Sequence, residues 1–200
     1  MENLENHIKK KKKFGVPVIV AINKFSADTQ AEIDLLKQKC NESGAEVAVS
    51  DIWAQGGEGG IELAEKVKSI LENETSQFEF LYELETSVKE KIEIIAKEIY
   101  GAEGVYYSGT AQDQIKQYQT MGYSNLPVCM AKTSSSISDN PELKGRPTGF
   151  NIEVNEIRLS SGAEFLVPLT GPVLTMPGLP KTPSAEKIDI DNEGKISGLF

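Results

Sequence analysis

The chain has 200 residues, 39% of them hydrophobic, and a formal charge of −9 at neutral pH. That is enough apolar material for one compact domain or two small ones, and the acidic balance removes the basic footprint of a nucleic-acid or anionic-membrane binder. No apolar stretch approaches the ~20 residues of a membrane span, Cys40 and Cys129 form no CxxC pair, and a lone histidine, His7, gives no basis for a Ser-His-Asp triad. No metal site is expected, and a cytoplasmic location is.

Residues 1–75 alternate between helix and strand. The basic run Lys9–Lys13, beside Glu2, Glu5 and His7, reads as the solvated face of a helix. Val16 to Ile22 is a near-continuous apolar run, as in a parallel strand buried on both faces. Thr29 and Glu32 have capping-box spacing, and Ile33, Leu36 and Cys40 repeat on one helical face until Gly44. A second strand follows at Glu46–Ser50, then a glycine-rich loop, then a helix whose apolar face is Ile61, Ala64, Val67 and Leu71. Short links between such elements predict a parallel α/β unit with a right-handed crossover.

Residues 76–122 read as mostly helical, with a core stripe through Leu81, Leu84, Val88, Ile92, Ile95 and Ile99 that ends at Gly101 and Gly104. A shorter helix is predicted over Asp113–Met121. Beyond it, Leu126–Ala131, Phe150–Ser160 and Ala163–Thr170 read as strands, with Pro168 marking an edge or a bend. The proline-rich stretch Leu169–Pro183 is too broken for a regular element. The predicted organisation is a parallel α/β part (1–75), a helical segment (76–125) and a smaller, β-rich α+β domain (126–200).

In an open parallel sheet, ligands collect beyond the carboxyl ends of the strands. Two connections leave the predicted strands there, Asn23–Asp28 and Asp51–Gly60. If the strands are neighbours, Phe25 and Trp53, the only tryptophan, flank one crevice at a spacing suited to a planar heterocycle. Gly56, Gly57, Gly59 and Gly60 would let backbone approach a ligand. Alternatively, both rings merely close the end of the sheet and the glycines only make a turn. Asn23–Lys24 after a buried strand is similar to the base-reading loop of GTPases. Against a complete GTPase, Ser26 stands where that pattern requires aspartate, Asp28 falls two residues late, and GxxxxGK[ST] does not occur in these 200 residues.

Several segments together carry a wider resemblance: "KKFGVPVIVAINKFSADTQAEI", "WAQGGEGGIELAEKV", "KIEIIAKEIYGAEGVYYS", "LPVCMAKTSSSISD", "LTGPVLTMPGLPKTPSAEKIDID" and "GKISGLF". In this order they resemble the C-terminal portion of the formate–tetrahydrofolate ligases (10-formyltetrahydrofolate synthetases). The resemblance implies a P-loop NTPase-like architecture for the first part, and the reaction of ATP, formate and tetrahydrofolate to 10-formyltetrahydrofolate, ADP and phosphate through formyl phosphate. It implies Mg²⁺, a possible activating monovalent cation, small-molecule substrates and a homo-oligomer. It also implies that the phosphate-binding loop and the catalytic groups lie in a missing N-terminal part, so that this chain is an inactive fragment when alone. Phe25 and Trp53 fall where the family clamps the folate ring, a pocket that adenine also uses, with Asn23, Lys24, Gly56, Gly57 and Gly59 around it. No residue here is expected to be a chemical catalyst. Lys132 is either an active-site cation or a surface lysine, and no role follows for the Met176–Lys181 loop. The remaining alternatives are the base-binding half of another nucleotide protein and a structural or oligomerisation region.

Overall fold

The computed structural model describes residues 1–173 and 180–199. Its first part contains α1 (Glu2–Lys12), β1 (Ile19–Asn23), α2 (Gln30–Glu42), β2 (Glu46–Ser50), a one-turn α3 (Ile52–Gln55), a 3₁₀ turn (Gly56–Gly60) and α4 (Ile61–Asn73). β1 and β2 are parallel neighbours, in register from Ile19 opposite Glu46 to Asn23 opposite Ser50. The crossover helix α2 starts at a reciprocal capping box. Thr29 Oγ1 accepts from the Glu32 N–H and the Glu32 carboxylate accepts from the Thr29 N–H. Gly44, at φ +67°, lets the chain leave the helix in the left-handed region. Ile22, Ile33, Cys40 and Val47 form the core of this part, with Leu4 of α1 packed against it.

Three expectations fail here for reasons of packing. The connection after β2 is not a loop, because α3 carries Trp53 on a helical turn. On α4 the predicted apolar face is the wrong one. Ile61, Val67 and Leu71 are exposed, whereas Leu63, Lys66 and Ile70 are half-buried. Lys66 Nζ lies 2.5 Å from the Val47 carbonyl of β2, so its long stem occupies the sheet-facing side. The run Lys9–Lys13 is not a uniformly solvated face either: Lys10 is only 7% exposed.

The rest of the chain contains α5 (Val88–Ile94), which continues as a π-helical turn over Ile95–Tyr100, then β3 (Gly104–Tyr107), α6 (Gly109–Thr120), β4 (Asn151–Val154), β5 (Glu156–Ser160), β6 (Phe165–Leu169), and a small hairpin of β7 (Asp189–Ile190) and β8 (Ile196–Ser197). The predicted helical stripe is cut short, because Ser87 caps α5 with a second capping box and leaves Leu81 and Leu84 outside the helix. α6 begins before Asp113, where Ser108 Oγ accepts from the Ala111 N–H.

The single strand predicted over Phe150–Ser160 is two strands with different partners. β4 pairs in parallel with β3, which the sequence analysis missed, and β5 pairs antiparallel with β6. The change falls at Asn155, whose N–H donates to Leu169 and whose carbonyl accepts from Ser108 Oγ. The strand predicted over Leu126–Ala131 reduces to isolated bridges at Val128 and Ala131 against β6. Leu166 N–H and Thr170 N–H both donate to this segment, through Pro127 O and Ala131 O. Pro168 occupies the donor position between them and has no N–H, so the ladder is interrupted there.

The core of this region draws Val88 and Ile92 from α5, Ala111 and Ile115 from α6, and Val154, Ile157 and Leu166 from the strands. It therefore joins residues of both the 76–125 and the 126–200 stretches. Lys91 is fully buried beside it, and its ammonium donates to the carbonyls of Ser124 (2.9 Å) and Leu126 (3.1 Å). Burial pushes its pKa down, opposed by Glu85.

Candidate functional site

The carboxyl edge of the β1–β2 pair brings both predicted connections together. Lys24 N–H donates to Ser50 O, which carries the pairing one residue past Asn23. Phe25 follows directly, held in a tight turn in which the Asp28 carboxylate accepts from the Phe25 N–H (2.8 Å) and the Asp28 N–H donates to Phe25 O. Asp28 thus closes the turn beneath Phe25.

The residue that engages Lys24 is Asp51, the first after β2. Lys24 Nζ lies 3.0 Å from Asp51 Oδ2, and Gln55 Nε2 donates to the same oxygen at 2.8 Å. The Lys24 hydrogen bond, followed by that from Gln55, holds the Asp51 carboxyl below the usual aspartate range. One ion pair therefore ties the two connections together. Sequence analysis missed Asp51 as part of the site. The available signal was a lysine and an aspartate at the same position after two neighbouring parallel strands.

Trp53 is 75% exposed and Phe25 is 52% exposed. Neither ring is part of a core cluster. Among the described residues the Asn23 side-chain amide makes no hydrogen bond, which leaves it available to a ligand at this edge.

The glycines have different duties. Gly59 O accepts from the Asp51 N–H, and a Cβ on Gly59 would lie 2.3 Å from Asp51 O. Gly59 is thus required by close backbone packing beneath the site. Gly56 (φ +59°, ψ −142°) has a conformation suited to glycine alone, and a Cβ on Gly57 would meet nothing within 4 Å.

The family model of formate–tetrahydrofolate ligase matches residues 1–200. The chain belongs to the formate–tetrahydrofolate ligase family. Membership makes it part of a ligase family that uses ATP and tetrahydrofolate, in one-carbon metabolism. No helix among the described residues is long and apolar enough to cross a membrane. Among the same residues no cluster of three or more His, Cys, Asp or Glu side chains could hold a metal ion.

In this ligase chain Lys132 is not brought to the Phe25–Trp53 edge. It faces a separate cavity with His7 and Lys10, and donates to the carbonyls of Thr133 (2.7 Å) and Ser136. Met176 to Leu179 lie outside the described residues, and Lys181 is exposed. An apolar cavity of about 710 Å³, lined by Leu81, Leu84, Ile99 and Met130 among others, contains none of the strand-edge residues. It is large, but few polar groups converge in it, so the strand edge is the better candidate for recognising a substrate.

Proposed function

We propose that the Asn23–Phe25 and Asp51–Gly59 edge holds a flat heterocycle, the pteridine of tetrahydrofolate or the adenine of ATP, within a ligase that forms 10-formyltetrahydrofolate from ATP, formate and tetrahydrofolate by way of formyl phosphate. One observation carries this: two exposed aromatic rings stand just past the paired ends of neighbouring parallel strands. Phe25 and Trp53 would stack on the ring. The Lys24–Asp51 pair would hold their two connections at a fixed separation, and the Asn23 amide would read the ring's polar edge.

The phosphate-handling and formyl-transferring groups would come from chain outside these 200 residues, leaving this part inactive alone. In support, among the described residues β1 and β2 form a parallel sheet of two strands, with Ala21 and Asn23 exposed and Ile19 and Val20 half-covered. Parallel sheets are ordinarily covered on both faces, which fits an edge of a larger, P-loop NTPase-like α/β domain comprising residues 1–75. Mg²⁺, a monovalent cation and a homo-oligomeric assembly belong to the same proposal and rest on the family resemblance; a cytoplasmic location and a further division at residue 125 are proposed from the sequence pattern, the latter as two stretches that share one core.

The test is Trp53→Ala and Phe25→Ala in the enzyme that contains this chain, titrated separately with tetrahydrofolate and with ATP. Stacking a base on an aromatic is worth about 1–3 kcal/mol, so affinity for the cognate ring should fall roughly tenfold to a hundredfold. The double variant should lose less than the sum of the two, because one ring touches both side chains. Stability should change by no more than about 0.5 kcal/mol, as for other exposed positions. Unchanged affinity for both ligands would refute the pocket.

A further inference from the structure

A second face of α1 is unexplained by the strand-edge site. Asn3, His7 and Lys10 recur at helical spacing on a face that adjoins the inward-packed Leu4–Ile8 face, and Phe14 follows just past the helix end. They border a cavity of about 440 Å³ closed on its other side by Tyr100, Lys132 and the serine loop at Ser134–Ser136. Asn3 Nδ2 donates to Gly145 O at 2.9 Å, which fixes α1 beside the segment carrying Arg146.

Among the described residues no carboxylate forms an ion pair with Lys10 or Lys132, and of the two only Lys132 has hydrogen-bond partners, the Thr133 and Ser136 carbonyls. Lys10 is 7% exposed, yet among the described residues its ammonium has neither a hydrogen-bond nor an ion-pair partner. Among the described residues no fully buried side-chain nitrogen or oxygen lacks a partner, so the remaining accessible surface of Lys10 includes its ammonium, on the cavity that Lys10 lines. Lys10 Nζ and Lys132 Nζ stand 6.0 Å and 5.3 Å from the centre of the same Tyr100 ring. Lys11 borders the cavity as well, and Arg146 is close enough to act on Lys10. The one acid whose charge acts on Lys132, Asp139, forms no ion pair with it among the described residues. In a chain of net charge −9, a cluster of unpaired cations on a cavity is contrary to the overall balance.

Burial, then Lys132, then Arg146 lower the Lys10 pKa from 10.5 to about 8. Burial is likewise the main cause that lowers the pKa of Lys132 and of His7. An ammonium held against both desolvation and like charge is poised to gain from an anion.

We propose that this cavity between α1, Tyr100 and the Ser134–Ser136 loop is a binding site for a small organic oxyanion carrying at least two negative charges, a phosphate ester or a short polycarboxylate. Lys10 and Lys132 supply the two main cationic contacts, Lys11 and Arg146 the outer field, and the exposed Ser134 and Ser135 further donors. The Tyr100 ring forms an apolar wall beside both ammonium groups. The volume exceeds what one inorganic phosphate fills and lies within the ordinary range for small-molecule sites. Nothing in this assignment rests on the ring pocket at Phe25 and Trp53.

The test is calorimetric titration of the full enzyme at pH 7 and low ionic strength, with inorganic pyrophosphate and with tricarballylate as probes. At least one should bind saturably. Lys10→Met and Lys132→Gln should each weaken it tenfold or more, while Lys68→Gln, on the exposed surface of α4, should have no effect. Pyrophosphate alone binding in this manner identifies a phosphate source, tricarballylate alone a carboxylate source, and both the shared oxyanion chemistry. Binding should also take up protons as pH approaches 8, with His7, Lys11, Lys132, Arg146, Tyr100 and Asp139 as the other charged or titratable groups around Lys10. Should a variant fail to fold, amine labelling of the wild-type enzyme gives the answer, because a bound anion protects Lys10 and Lys132 from modification. Binding that is unaffected by the substitutions, no binding of either probe, or equal labelling with and without saturating anion would overturn the proposal.

Discussion

Removing the Lys10 charge should stabilise the folded protein in anion-free buffer. The fall of its pKa from 10.5 to about 8 sets an upper limit of about 3 kcal/mol on the opposition to the charged form in the native state, and solvent reaching the ammonium through the cavity screens part of it. Lys10→Met keeps most of the buried stem and removes the ammonium. It also forfeits the contact with the Tyr100 ring, 6.0 Å away, worth ~0.5–1 kcal/mol. The net expectation at pH 7 is a gain of at most about 2 kcal/mol, or a urea midpoint shifted upward by up to about 1 M at ordinary slopes. The pH dependence has a definite sign. Between pH 8 and 10.5 the unfolded chain holds more protons on Lys10 than the native chain does, so wild-type stability rises with pH across that window. The variant lacks this gain, and its advantage should be complete below pH 8 and largely gone by pH 10.5. His7, Lys11, Lys132, Arg146, Tyr100 and Asp139 remain in both proteins, so subtracting the two profiles isolates Lys10. Urea titrations from pH 6 to 10.5 supply those profiles. A variant less stable at pH 7, or a difference that stays flat across the range, would show that Lys10 is not held against desolvation and like charge.

Two further outcomes test the architecture of the strand edge. Gly59→Ala should cost ~1–3 kcal/mol, since its Cβ would meet the Asp51 carbonyl at 2.3 Å, whereas Gly57→Ala, with nothing within 4 Å, should stay within about 0.5 kcal/mol; thermal denaturation that ranks them otherwise removes the packing role of Gly59. Asp51→Asn should alter the acid limb of unfolding. The lowered Asp51 pKa supplies stability that is present above the unfolded value of 3.8 and lost as pH falls through the folded one, so the Asn variant should lack that loss, and superimposable acid limbs in tryptophan fluorescence would count against the Lys24–Asp51 pair.

Local chemistry was sufficient wherever an element is specified by its own residues. Thr29 with Glu32 sets the start of α2 and Gly44 its end, both decided within a few residues of chain, while of the apolar run Val16–Ile22 only Ile19–Ile22 lies in the parallel strand and only Ile22 of it is buried. The pairing of β1 with β2 places Phe25 and Trp53 at one edge, as the alternation of elements implied. Periodicity alone could not decide which of two apolar faces turns inward. On α4 the sheet took Leu63, Lys66 and Ile70 and left Ile61, Val67 and Leu71 in solvent, because the stem of a lysine can bury like an aliphatic side chain when its ammonium reaches a carbonyl. The partners of β4 and β5 were equally hidden, since strand pairing depends on segments remote in sequence and the exchange at Asn155 has no local mark. Pro168 was legible as a disruption, but which neighbour would lose its ladder depended on the edge to which its missing N–H was turned. Lys24 found Asp51 and not Asp28 because parallel pairing brings the ends of two strands together, whereas Asp28 was captured by the turn that it closes. The lysine run on α1 shows the same division. Its composition fixed the charge, and only the tertiary placement of Tyr100 and Lys132 around the same cavity made Lys10 a buried cation beside another. Spacing along the chain determines which side chains share a face, but what that face meets is determined by contacts between distant segments.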